Sequence, residues 1–299
     1  MSMRTIAVST IRLVIVITIA GAIVSCADFR EPSYNGSSAI EWVKRGYFTD
    51  NRPLDVSRQV ISPEEAEANQ AIREIGVKAV RPFLRLLEVR SENGANPDVR
   101  AYMSNAYGSV GLSILGTNAA TAIPALKEIL ANGDYNQQRG AGLALYNMGF
   151  QGIAPLAEVL ANDNSAGRAM AASFLSSYAD SGIRLSADKM TSQNEIDGEG
   201  KVIVPILLPY VRDGDQDVRM WAIVGLGNFA QEPTLVIPSL IESCADTNRT
   251  IQLASIQALG MFGQNASNAV PVLEDHANTG DFRLQIAVAS ALNRIRGKQ

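Results

Sequence analysis

Few residues in this chain have the types and spacing that chemistry would need. The single histidine is His276, in EDHANTGD at 274–281. A zinc site draws several His or Cys ligands together, and a Ser-His-Asp triad needs an imidazole base beside a positioned Ser. No Ser sits in a G-x-S-x-G frame. His276 therefore reads as a turn or helix-end residue. The acids of DGDQD, 213–217, alternate like the start of a calcium loop, yet Val218 stands where that loop needs Gly and Val224 where it needs Glu. A solvated turn ahead of a helix explains them better. GLGNFA, 225–230, has the spacing of a dinucleotide fingerprint, but that fingerprint follows a strand and opens a helix, whereas this segment closes an amphipathic helix. GEGK, 198–201, lacks the upstream Gly and following Ser/Thr of a phosphate loop. One acidic cluster is left, Asp213, Asp215, Glu195 and Asp197, as the place where carboxylate chemistry would have to occur.

Charge narrows the partners. With a formal net charge of −4 the 299-residue chain lacks the basic field that nucleic acids select. Aromatics make up only 6% of residues against 46% apolar content, so the core must be built from Ala, Leu, Ile and Val. That composition suits thin layers of helix on helix. No metal and no cofactor is expected.

The N-terminus differs from the rest. Arg4 and Arg12 precede LVIVITIAGAIV, and the uncharged span 13–27 is about 15 residues, short of the roughly 20 that a helix needs to cross a bilayer. Residues 1–26 read as a signal peptide. IVSC at 23–26 resembles the lipobox of bacterial lipoproteins, which implies that Cys26 becomes the lipidated first residue and that the protein is exported and membrane-anchored, on the periplasmic or cell-surface side. Cys244 is then left without a partner and is expected as a buried thiol.

Residues 27–61 read as a polar tether with a short capping helix, in which Ser38 and Glu41 have capping-box spacing and Ile40, Val43 and Tyr47 share a stripe. SPEE at 62–65 predicts a helix start, with Ser62 as N-cap, running to Ile75. Beyond it one phrase recurs: GTNAATAIPAL at 116–126 returns as GQNASNAVPVL at 263–273. In each copy a helix ends at Gly, the chain crosses a few residues, and a new helix carries Pro in its first turn. Pro82, Pro124, Pro155, Pro205, Pro238 and Pro271 mark the copies; three intervals are 31–33 residues, the period of two-helix solenoid units. The two longer intervals predict insertions at about 91–103 and 179–201, the second a polar loop.

These copies resemble HEAT repeats, including the HEAT-like repeats of phycobilin lyases, over roughly 62–297. Ile206–Ala230 carries the pattern most fully, with Asp217, Val218 and Arg219. Gln252, Gln285, Gln138 and Asn105 stand where Arg219 does, so the Asp–Arg ladder of the family is expected to be largely absent. The resemblance implies an all-α, right-handed α-solenoid of about six stacked helix pairs spanning 62–299. It also implies a concave face built from helices near 97–115, 136–148, 165–179, 216–229, 248–262 and 281–295. Tyr102, Tyr107, Tyr146, Phe174, Tyr178, Trp221 and Phe229 fall on those helices. Of these, Tyr102, Tyr107, Tyr146 and Trp221, with Arg219, are the candidate contacts for a protein or peptide, because aromatics and Arg are enriched at interfaces. The expected function is a non-catalytic binding scaffold at the bacterial cell envelope. The rival is an enzyme or cofactor-handling protein of the phycobilin lyase-like type that uses the acidic cluster.

Overall fold

A computed structural model describes residues 31–48, 62–90, 99–179, 183–184, 189–190, 192–277 and 281–297. The residues read as a signal peptide, with Cys26, lie outside the described residues, as do residues 27–30 and 49–61 of the segment read as a tether.

The start signals act as local chemistry requires. Ser38 caps α1 (Ala39–Tyr47) and Ser62 caps α2 (Pro63–Ile75), each in a reciprocal box with Glu41 or Glu65 at the third position. The buried stripe of α1 is Ala39, Trp42, Val43 and Gly46, so of the expected stripe only Val43 is fully buried. Trp42 leans across it and donates its indole N–H to the Tyr34 carbonyl in the small ladder of β1 (Ser33–Tyr34) and β2 (Ser37–Ser38). Ser62→Ala removes one acceptor from the first turn of α2, a loss of about 1 kcal/mol. Amide hydrogen exchange in α2 is expected to quicken roughly fivefold, with the C-terminal helices unchanged.

From Gly76 the chain settles into its period. The helices are α3 (Val80–Leu87), α4 (Val99–Leu115), α5 (Ile123–Asn132), α6 (Tyr135–Asn147), α7 (Phe150–Leu160), α8 (Arg168–Ser177), α9 (Gln193–Leu207), α10 (Gln216–Phe229), α11 (Pro233–Ser243), α12 (Arg249–Met261), α13 (Val270–Ala277) and α14 (Phe282–Ile295). Pairs α3/α4 to α13/α14 form six stacked units, and α1/α2 adds a pair at the N-terminal end.

The twin phrases fold into twin joints. Gly116 and Gly263 take φ +51° and +53°, left-handed values that cost Gly little, and a 3-10 turn then runs to Ala122 and Ala269. Within these turns Ala119 (φ −92°, ψ 15°) and Ala266 (φ −93°, ψ 22°) adopt the same kink and are fully buried. Buried alanines hold each joint to one shape. The joint after α10 uses Ala230 at φ +48° instead, a left-handed residue with a Cβ.

Two expectations need correction. Pro occupies the first turn at Pro124 and Pro271, but Pro155, Pro205 and Pro238 lie inside α7, α9 and α11. The second insertion is also not a loop throughout. Ile183–Arg184 pairs antiparallel with Lys189–Met190, and from Gln193 the chain is already helical, capped by the Ser192–Glu195 box. Ile196, Gly200, Ile203 and Val204 give this stretch a buried face, a periodicity that the charged residues between them mask in the sequence.

The two layers of the stack differ. Helices α4, α6, α8, α10, α12 and α14 form an inner layer in which neighbours run against one another, closely at every step but α6–α8, while successive odd-numbered helices meet less closely and partly through 3-10 turns. A stack bends toward its tighter layer. Glycine makes the tight spacing possible: a Cβ on Gly227 of α10 would stand 2.6 Å from the Ala258 Cβ of α12. The α6–α8 step is wider and is filled by rings. Tyr146 stands edge-on to Tyr178 at 5.0 Å and tilted to Phe174 at 6.4 Å.

Candidate functional site

Successive units are tied together at the turns that lead into the inner helices. Arg168, first residue of α8, reaches Asp213 in the turn before α10, with Nη1–Oδ1 at 3.1 Å and Nη2–Oδ2 at 2.5 Å. Arg219 of α10 meets Asp246 at 3.0 Å, and Arg249 of α12 meets Asp281, the N-cap of α14, at 2.7 Å. Each Asp does two things. One oxygen accepts the N–H two residues on, at Asp215, Asn248 or Arg283, and closes the turn. The carboxylate also receives an Arg from the preceding unit. An Asp–Arg ladder is thus present, against expectation, because Arg168 and Arg249 start their helices rather than occupying the position of Arg219. Asp217, expected as the ladder acid, is exposed on the first turn of α10. The amide at the Arg219 position takes over a different bond: Gln252 donates to the Asp246 carbonyl at 2.6 Å, as Arg219 does to the Asp213 carbonyl at 2.7 Å.

The ladder sets the local electrostatics. Burial pushes the Asp213 carboxyl up, but the hydrogen bonds from Arg168 and the Asp215 N–H, with the nearby Arg219 charge, outweigh it and hold the group below its usual range. Arg168 is raised in turn, chiefly by its hydrogen bond to Asp213.

The expected contact residues do not converge. Tyr102 is exposed on α4, beside Asn136 and Arg139 of α6. Tyr107 is half covered by the N-terminal pair, with Phe48 edge-on at 4.6 Å and the Lys44 ammonium 5.5 Å from its ring. Tyr146 serves the α6–α8 wedge, Trp221 packs partly against the core, and Arg219 is committed to Asp246. Tyr178 and Phe229 are core residues.

What the inner layer does present is a groove of about 530 Å³ across α10, α12 and α14. Its floor combines Val224, Leu253 and Ala287 with the exposed apolar side chains of Met261 (47% exposed) and Ile286 (55%). Asn228, Gln257, Ser290, Arg283 and Arg294 rim it. Sequence reasoning missed it by following aromatics. The signal was there in the period, since the lining residues Leu253 and Ile286 recur 33 residues apart, as do Val224, Gln257 and Ser290.

Residues 203–297 match the family model of HEAT repeats. That match covers about a third of the chain and contains the groove. Among solved structures, the archaeal HEAT-like repeats protein from Thermococcus onnurineus NA1 is similar at 11% identity, covering 89% of this chain and 99% of its own, with a TM-score of 0.45. A designed armadillo repeat protein in complex with the peptide (KR)4 is similar at 14% identity, over 72% and 99% of the two chains, TM-score 0.47. An engineered protein shares 20% identity over 87% of this chain and 68% of its own, TM-score 0.47. No curated protein matches the sequence.

In the stacked units the groups first considered for chemistry have structural partners. Asp213 belongs to the ladder, Asp215 caps α10, Glu195 caps α9, and Asp197 accepts from Gln193. His276 sits in the last turn of α13, its ring nitrogens 2.8 Å from the carbonyls of Val272 and Cys244, so it fastens that helix end to the end of α11. The Cys244 thiol is buried, which pushes its pKa up to about 12 and leaves it protonated and inert at neutral pH. Among the described residues no three His, Cys, Asp or Glu side chains converge on one point.

Proposed function

We propose that this protein is a non-catalytic binding scaffold of the bacterial cell envelope, exported and anchored through a lipid on Cys26, which holds a protein or peptide on its inner helix layer. The observation that carries the binding part is the open apolar groove shared by three HEAT units and rimmed by polar side chains. An apolar surface of this form, left in solvent, favours a partner that covers it. The anchor rests on the IVSC signature alone.

The test uses the full chain, crosslinked in envelope membranes and recovered in detergent, beside a Met261→Glu, Ile286→Glu variant. Both side chains are about half exposed, so the charges alter the groove and spare the core. The expected result is a crosslinked partner that the variant loses by at least tenfold, and acyl chains on the N-terminal Cys26 peptide from the same sample. A bare or missing Cys26 with no crosslinked product in either form would overturn the reading.

A further inference from the structure

Resting on that reading, we propose that the occupant of the groove is a short acidic-apolar segment of a partner protein, apolar side chains flanked by carboxylates, gripped between Arg283 and Arg294. The argument starts from the spacing along α14. Arg283, Ile286, Ala287, Ser290, Ala291 and Arg294 follow one another at i, i+3, i+4, i+7, i+8 and i+11, a single face of the helix. That face is apolar and small in the middle and basic at both ends.

Among the described residues the two guanidiniums are the only charges in the lining, and no Asp or Glu borders the groove, in a chain whose net charge is −4. Neighbouring cations are spoken for: Arg249 binds Asp281, and Arg296 binds Glu274. Arg283 and Arg294 make no ion pair with a described residue. Arg294 rests its Nη1 2.8 Å from the Met261 Sδ, a contact that fixes the side chain at the rim without neutralising it. A guanidinium held this way keeps enough donors for a two-pronged carboxylate contact. The field of the groove therefore selects negative charge while its floor selects apolar side chains.

Length sets the register. Eleven helical residues separate the two arginines, about 16 Å at 1.5 Å per residue. An extended peptide covers that span in roughly five residues. The segment that fits has acids about five residues apart with Leu- or Ile-like side chains between them.

Fluorescence anisotropy tests this with the full chain in nanodiscs of zwitterionic lipid. Three dye-labelled peptides share one Leu/Ile core and carry Glu, Gln or Lys at both flanks. The Glu peptide is expected to bind at least tenfold more tightly than the Gln peptide and the Lys peptide more weakly still, with the Glu preference shrinking as salt rises. An Arg283→Glu, Arg294→Glu variant should invert the order. Equal binding of the three peptides, or an order that charge reversal leaves unchanged, overturns the proposal; so does preference for the Gln peptide, which would mark purely apolar docking. Binding of none of them overturns it as well. The scaffold reading survives any of these if the crosslinked envelope partner is still captured by the Arg283→Glu, Arg294→Glu variant and lost by Met261→Glu, Ile286→Glu.

Discussion

Tyr178→Ala is expected to destabilise the solenoid by about 3–5 kcal/mol, the range for removing a buried aromatic side chain. Tyr178 is fully buried between two units. Its ring stands against Tyr146, and its hydroxyl donates to the Gly149 carbonyl at 2.9 Å, at the end of α6 where the chain turns left-handed into α7. The α6–α8 step is the loosest in the inner layer, so no tight backbone contact compensates for the lost ring. Tyr178→Phe keeps the ring and removes the hydroxyl, at about 1–2 kcal/mol. Chemical denaturation should show a second transition in Tyr178→Ala, as the units on either side unfold separately. A single transition with an unchanged midpoint would contradict the wedge role.

Asp213→Ala is expected to cost about 2–4 kcal/mol. The Arg168 and Asp213 side chains are only 13% and 11% exposed, and removing the acid leaves a largely desolvated guanidinium with only the Leu160 carbonyl at 3.0 Å and the exposed Asp163 carboxylate at 3.4 Å as partners. It also opens the turn before α10. The double variant Arg168→Met, Asp213→Leu should recover a large part of the loss, because the penalty comes from the stranded charge rather than from a missing attraction. The pH dependence follows from the same pair. The folded carboxyl titrates below its unfolded value near 4, so its contribution is complete above that value and is lost as pH falls through the lower, folded one. Asp281, lowered chiefly by its hydrogen bond from Arg249, shares that direction. Wild type should therefore lose stability steeply below about pH 4, and Asp213→Ala less steeply, in urea midpoints measured from pH 3 to pH 7.

Local physics made the elements legible. Capping boxes at Ser38 and Ser62, Gly at helix ends and Pro at the starts of α5 and α13 depend on residues within one turn of each other, and the inner helices appear within two or three residues of their expected bounds. The acidic stretch at 193–201 failed the same approach because its helix is selected by burying Ile196 and Gly200 against other units. Gly200 shows the dependence: a Cβ there would meet the Gln231 amide and the Phe229 ring, residues some thirty positions away.

The sequence by itself determined the period, the helix pairs and the small-residue layer, since an interval of 33 residues and the recurrence at it of Gly227 with Gly260 and Ala258 with Ala291 are properties of the string. Tertiary structure alone decided which residues face solvent and which charges find partners. Seven aromatics read alike on one set of helices, yet packing sends Tyr178 and Phe229 to the core and leaves Tyr102 outside. Arg249 and Arg283 likewise both lie beside a helix start, yet Arg249 reaches the acid of the next unit while Arg283 opens on the groove. The physical reason is range: helix geometry is set by neighbours three and four residues apart, whereas burial and ion pairing are set by residues about 33 apart that meet only when units stack.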